Sequence, residues 1–165
     1  MATKSKTTRL ESAKLELAKL EAAKSEAAKS EAAKSERAIA AGLMNLVVAD
    51  GVATVTLCRG PVNAISEAWI AQFDGILDRL AKRTDWKVLH LRSDQRVFCA
   101  GADLNEIRDR IAAPDGPDRM YSHVAAIQRL FARRENLRQV TVAEIGGAAM
   151  GGGLELALAC DLRIA

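Results

Sequence analysis

The sequence predicts an α/β domain that follows a charged, low-complexity helical extension. From residue 43 onward, β-rich runs alternate with stretches of helical periodicity, and turn-forming residues separate them. A change of composition near Gly42 marks the boundary, because a repeat rich in lysine and glutamate ends there. We therefore divide the 165-residue chain into an extension, residues 1–42, and a domain, residues 43–165.

The extension repeats Ser-Glu-Ala-Ala-Lys with a period of five, most cleanly at 25–29 and 30–34. Every residue type in the repeat except serine is a strong helix former. On a helix this period advances by about 140° per repeat, so no continuous apolar stripe forms. The pattern resembles semi-rigid helical spacers and predicts a solvated helix or a disordered segment. Weak self-association and an engineered spacer are the alternatives.

Charge is distributed unevenly between the two parts. Residues 1–41 hold nine Lys/Arg and six Glu, whereas the remaining 124 residues hold fifteen basic and fifteen acidic side chains. The net charge of +3 therefore comes from the extension. Nucleic-acid-binding domains ordinarily carry a basic face on the folded part, so this balance disfavours nucleic-acid binding.

Neither a metal site nor a membrane span is indicated. Cys58, Cys99 and Cys160 lie far apart without CxxC spacing, which predicts reduced thiols and no metal. No apolar run approaches the roughly 18 residues that a membrane span needs. The first residues lack a secretory apolar segment, and their glutamates are atypical of a mitochondrial presequence. We expect a soluble, cytoplasmic protein.

The domain begins with local signals for a hairpin and an amphipathic helix. Asp50-Gly51 separates two β-rich runs, and Ser66 is a suitable N-cap for the helix that follows. The predicted strands are 45–49, 52–58, 87–92, 140–145 and a strand beginning within 161–165. The predicted helices are 67–83, 103–111, a longer helix ending near 137, and 152–160. On these helices the residues predicted to face the core are Trp69, Phe73, Ile76, Leu77, Leu80, Val124, Ile127, Leu130 and Phe131.

Two loops place small residues between a strand and a helix, at 98–104 and 146–153. The first N–H groups of a helix lack intrahelical partners, and small residues let another group approach the backbone. Two such helix starts could donate to one oxygen, as an oxyanion hole does. Tight strand-to-helix packing is the alternative explanation for the glycines. P-loop, GxGxxG and GxSxG patterns are absent.

Glu155 is the acid beside the second loop. Its apolar neighbours predict a carboxyl in an apolar pocket with a raised pKa, which suits proton transfer. Of the two histidines, His90 is predicted to pack within a strand and His123 to be partly exposed on a helix.

Three motifs carry a family resemblance. They are Pro61-Val-Asn-Ala-Ile65, Phe98-Cys-Ala-Gly-Ala-Asp-Leu104 and Ala148-Ala-Met-Gly-Gly-Gly-Leu-Glu-Leu-Ala-Leu-Ala-Cys-Asp161. Together they resemble the crotonase superfamily, specifically the enoyl-CoA hydratases. The resemblance covers the domain and not the extension.

The resemblance implies a crotonase-type spiral of ββα repeats that binds acyl-CoA thioesters, incomplete at the C-terminus. The amides of Ala102 and Gly152 match the oxyanion-hole positions, and Glu155 matches the first catalytic glutamate. The positions implied to line the CoA are Ala64, Ala100, Gly101, Asp103 and Leu104. The family's second glutamate would lie beyond Ala165. The family also implies a homo-oligomer, a trimer or hexamer, and no cofactor besides the CoA of the substrate.

The implied function is therefore enoyl-CoA hydration, a lyase reaction, with Glu155 as one of two acids. The alternatives are another crotonase activity, such as an isomerase or hydrolase, and a non-catalytic assembly module. Because the second glutamate falls outside the sequence, we expect a fragment, a chain that depends on another chain, or an inactive form.

Overall fold

A computed structural model describes residues 42–165. The predicted extension, apart from Gly42, lies outside the described residues. The strands are β1 (Met44–Ala49), β2 (Val52–Leu57), β3 (Val88–Ser93), β4 (Val140–Glu144) and β5 (Leu162–Ile164). The helices are α1 (Glu67–Ala81), α2 (Leu104–Ala112), α3 (Gly116–Glu135) and α4 (Gly152–Leu158). Each predicted element is present, with ends that shift by a few residues, so the predicted α/β class is confirmed.

The strands form one sheet in sequence order, β1-β2-β3-β4-β5. β1 and β2 are an antiparallel hairpin, and the later neighbours pair in parallel. Asp50 and Gly51 form the hairpin turn with φ angles of 50° and 80°, the left-handed conformation that this two-residue turn requires. The β2–β3, β3–β4 and β4–β5 connections each contain helix, as parallel pairing demands.

One face of the sheet supplies the core. Alternate residues of β2 and β3 are fully buried because successive side chains of a strand point to opposite faces. α1 packs against this face, and Trp69 and Phe73 meet edge-to-face with ring centroids 5.3 Å apart. The Ser66 hydroxyl accepts a hydrogen bond from Trp69 N at 3.2 Å, which confirms the predicted N-cap. The buried set includes Trp69, Phe73, Ile76, Leu77, Leu80, Ile127, Leu130 and Phe131, all predicted to face the core.

The N-terminal half of α3 differs from the prediction. Val124 is 41% exposed, whereas the neighbouring His123 is only 5% exposed, so both were predicted wrongly. The cause is the position of α3 across α1 and α2, which turns His123 rather than Val124 toward those helices. Burial and nearby Arg110 lower the pKa of His123, which favours the neutral imidazole.

None of the helices between residues 42 and 165 has the length and apolar character required to cross a membrane.

Candidate functional site

The predicted site loops lie side by side. Residues 98–103 run between the 62–65 loop on one side and the 148–153 loop on the other. Ile65 pairs with Ala102, and Cys99 pairs with Ala149, both in parallel bridges. The loop before α4 is held by Met150 N, which donates to Cys99 O at 3.0 Å. The motifs that carry the family resemblance are therefore joined through backbone hydrogen bonds.

Glycines allow the two helix starts to approach this closely. Gly101 has φ +91°, and a Cβ atom there would lie 2.8 Å from Met150 O and 3.1 Å from Gly152 N. At Gly153, a Cβ atom would lie only 2.1 Å from Cys99 O. The 2.8 Å and 2.1 Å distances are shorter than real Cβ contacts, so close packing of the two loops requires glycine at both positions.

The Ala102 and Gly152 amides are available to a ligand. Within residues 42–165 the Ala102 N–H donates to no protein acceptor, although Ile65 bonds to both neighbours of Ala102. Gly152 is the first residue of α4, so its N–H has no acceptor within the helix. Gly101 O and the Ala102 N–H belong to one trans peptide and point in opposite directions. Because Gly101 O accepts a hydrogen bond from Ile65 N, the Ala102 N–H points away from Ile65.

These amides border a cleft of about 580 Å³. The cleft brings together every residue implied for the CoA and both implied oxyanion positions: Ala64, Ala100, Gly101, Ala102, Asp103, Leu104 and Gly152. The roles of these residues in binding CoA and the thioester oxygen remain predictions. Glu155 is not among the residues that line the cleft, although it lies in the first turn of α4, which begins at the cleft.

The environment of Glu155 differs from the prediction. Within residues 42–165 no apolar pocket surrounds this carboxylate; it is exposed, as are Leu154 at 45% and Leu158 at 60%. α4 has only seven residues and buries a single face, formed by Gly153, Leu156 and Ala157. Glu155 lies on the other face, where it is open to water.

Arg59 lines the cleft and was not predicted. Its Nη1 donates to Ala64 O at 2.6 Å, and its Nη2 donates to Asp103 Oδ2. The hydrogen bond from Arg59 is the main reason why the pKa of Asp103 lies below its ordinary value. Asp103 Oδ1 also caps α2 by accepting from Asn105 N at 3.0 Å. The only sequence signal for Arg59 is its place directly before the Gly60-Pro61 turn.

A larger cavity, about 810 Å³, lies elsewhere, among α1, α2 and α3. Its polar lining consists mainly of acidic side chains, and several of them are paired: Arg110 binds Glu67 and Glu106, and Arg119 binds Asp115. It contains none of the predicted site residues. The smaller cleft is therefore the candidate site, because it combines free backbone donors with the family motifs.

His90 is partly buried in β3, and its Nε2 lies 2.9 Å from Glu144 Oε2. Its prediction as a packed strand residue agrees with this position, and it is not among the residues that line the cleft.

Comparison with known proteins agrees with the resemblance. The family model for enoyl-CoA hydratase/isomerase matches residues 48–165. A probable mitochondrial enoyl-CoA hydratase 2 of Arabidopsis thaliana is 39% identical over 118 residues, 70% of this chain and 37% of that protein. A putative enoyl-CoA hydratase/isomerase of Bacillus subtilis (strain 168) is 40% identical over 118 residues, 70% of this chain and 44% of that protein.

Solved structures show the same relationship. The crystal structure of an enoyl-CoA hydratase from Bacillus anthracis has a TM-score of 0.66 and 31% identity, covering 73% of this chain and 46% of that structure. The chain thus spans less than half the length of these relatives. The fold is of the crotonase type, and the chain belongs to the enoyl-CoA hydratase/isomerase family.

Proposed function

We propose that the cleft binds an acyl-CoA thioester and that the chain contributes an oxyanion hole and one carboxylate to the hydration of a 2-enoyl-CoA. The observation that carries this proposal is the pairing of two free N–H groups, from Ala102 and Gly152, on backbones in contact. Glu155 follows Gly152 within the first turn of α4 and supplies the acid–base group.

In this reaction the thioester oxygen accepts hydrogen bonds from both amides. Water adds its oxygen to the β-carbon, and electron density from the double bond moves toward the carbonyl as an enolate-like charge. Preorganised N–H donors stabilise that charge more strongly than they stabilise the substrate. Glu155 holds the water and accepts its proton as the water oxygen bonds to the β-carbon, and the second acid described below donates a proton to the α-carbon. Proton exchange with water then returns both carboxyl groups to their starting states.

Hydration as the family performs it uses a second glutamate, for which no residue within 42–165 is assigned. We propose that the second glutamate comes from outside residues 42–165. A neighbouring subunit of a homo-oligomer, a trimer or hexamer, is one such source. The exposed apolar side chains of α4 and β5 support an association on this side. They are Leu154, Leu158, Leu162 and Ile164. The expected cytoplasmic location remains a prediction.

Enoyl-CoA isomerisation is a second candidate, and the single assigned carboxylate favours it. Moving a double bond requires one base to take a proton from the α-carbon and return it to the γ-carbon, while the same oxyanion hole stabilises the dienolate. Acyl-CoA hydrolysis and a non-catalytic assembly role are the remaining alternatives. Incubation with 3-enoyl-CoA and 2-enoyl-CoA substrates in parallel separates isomerisation from hydration.

The test is crotonyl-CoA hydration, followed by loss of absorbance of the conjugated thioester. Glu155→Gln preserves shape and removes the base, so we expect the rate to fall by about 10²–10⁴-fold. Glu135→Gln, the same change at an exposed position on α3, is the matched control and should leave the rate unchanged. Activity that survives Glu155→Gln would contradict the role of Glu155.

A further inference from the structure

The Arg59 side chain connects two backbone segments that are far apart in sequence. Nη1 donates to Ala64 O at 2.6 Å, and Nη2 donates to the Asp103 carboxylate, 44 residues away. The side chains of Arg59 and Asp103 are 27% and 11% exposed, so the pair is partly shielded from water. Its contribution should therefore exceed that of a fully exposed ion pair.

The two anchors of Arg59 flank the amide of Ala102. Ala64 immediately precedes Ile65, whose N donates to Gly101 O at 2.8 Å and whose O accepts from Asp103 N at 2.9 Å. These two hydrogen bonds lie on either side of Ala102 and hold its peptide in place. Arg59 thus binds the 62–65 loop at Ala64 and the residue after Ala102 at the Asp103 side chain.

Asp103 also connects this contact to a helix. Its Oδ1 accepts from Asn105 N at 3.0 Å and Glu106 N at 3.2 Å, so the same carboxylate caps α2 and binds Arg59. A displacement of the carboxylate would move the start of α2 together with the peptide that precedes it.

We propose that Arg59 is a positioning residue for the oxyanion hole, because it fixes the direction of the Ala102 N–H. The inference rests on the proposed function, in which that N–H binds the thioester oxygen. A guanidinium suits the role because its planar fork donates in two fixed directions, whereas a lysine ammonium is a compact charge whose three donors rotate freely. The charge of Arg59 is already paired with Asp103, so the contact serves geometry rather than attraction of the CoA phosphates.

The first experiment measures amide hydrogen exchange by NMR in the ligand-free full chain. In Arg59→Gln we expect the Ile65 and Asp103 amides to exchange at least about fivefold faster. Their hydrogen bonds would no longer be stabilised by the contacts of Arg59 with Ala64 O and the Asp103 carboxylate. Arg59→Lys should give an intermediate rate. Arg83→Gln, which breaks the exposed Arg83–Asp85 pair, is the control and should leave both amides unchanged. Unchanged exchange of these two amides in Arg59→Gln would show that Arg59 does not stabilise their hydrogen bonds and would overturn the inference.

The second experiment measures how strongly the oxyanion hole polarises a bound substrate, using crotonyl-CoA that carries ¹³C at the thioester carbonyl. Hydrogen bonds to the oxygen lower the carbonyl stretching frequency of bound thioester, measured by Raman difference spectroscopy. We expect Arg59→Gln to lose part of this shift and Arg59→Lys to recover some of it. Asp103→Asn is a second variant that retains a capping side-chain oxygen, and it should lose the shift as Arg59→Gln does.

The outcomes separate the inference from the function on which it rests. A full carbonyl shift in Arg59→Gln and Asp103→Asn, both folded by circular dichroism, would overturn the positioning role even if the amides exchange faster. Failure of the unsubstituted chain to bind or polarise crotonyl-CoA would count against the proposed function instead.

Discussion

Gly101 lies against Gly152, so close that a Cβ atom on Gly101 would be 3.1 Å from the Gly152 nitrogen. This contact brings a loop that follows β3 to the first residue of α4. It places the two backbone segments that carry the free Ala102 and Gly152 amides next to each other, and it leaves no space for a side chain between them.

Gly101→Ala should therefore destabilise the fold. The residue has φ +91°, and its new methyl group would lie 2.8 Å from Met150 O, so we expect a loss of about 1–3 kcal/mol in the free energy of unfolding. Gly75→Ala is the matched control, because Gly75 lies within α1 with nothing within 4 Å of the added methyl. That change should stabilise by up to about 1 kcal/mol, through helix propensity. Urea unfolding compares the two; equal effects would show that the contact is unimportant.

Gly152→Pro removes one proposed oxyanion donor. Proline is tolerated at the first position of a helix, where the N–H has no intrahelical acceptor. If turnover is present in the unsubstituted chain, we expect it to fall by about 10²–10³-fold. Gly152→Ala adds the same Cβ, 3.1 Å from Ile65 Cδ1, but keeps the N–H, and should retain most of the rate. The rates are compared with crotonyl-CoA after circular dichroism has shown that both variants fold. A similar fall in rate in Gly152→Pro and Gly152→Ala would show that the added Cβ, and not the lost N–H, causes the effect.

The Arg59–Asp103 pair should make stability depend on acid pH. The pKa of Asp103 is lowered in the folded chain, chiefly by Arg59, so its contribution is fully present above the unfolded pKa of about 3.9. The contribution is lost as the pH falls through the lower folded value. The difference in unfolding free energy between the unsubstituted chain and Asp103→Asn should be constant from about pH 5 to 7 and shrink below about pH 4. A difference that grows on acidification would contradict this assignment.

Ser66→Ala should remove the cap of α1. The hydroxyl accepts from Trp69 N at 3.2 Å and is buried, so we expect a loss of about 1 kcal/mol. Ser122→Ala, an exposed serine within α3, should change stability by less than about 0.5 kcal/mol. Chemical unfolding of the two variants is the check. A neutral Ser66→Ala would show that this hydrogen bond does not stabilise α1.

Features set by neighbouring residues were predictable. The Asp50-Gly51 turn and the Ser66 cap depend on a few consecutive positions, and the buried face of α1 follows from the spacing of Trp69, Phe73 and Ile76. The small-residue loops on both sides of the cleft were also visible, because close backbone approach admits few residue types. In the N-terminal half of α3, the apolar pattern wrongly predicted that Val124 is buried, because periodicity identifies an apolar stripe but not the element that covers it.

The sequence by itself determined the α/β alternation, the helix starts and the glycines that let two of those starts meet. Only the tertiary structure decided that Arg59 binds Asp103, that His123 is buried, and that Glu155 is exposed. The physical reason is distance along the chain: turns and caps are formed by adjacent residues. Burial and ion pairing instead depend on segments brought together by packing, and Arg59 and Asp103, 44 positions apart in sequence, carry no local sign of that contact.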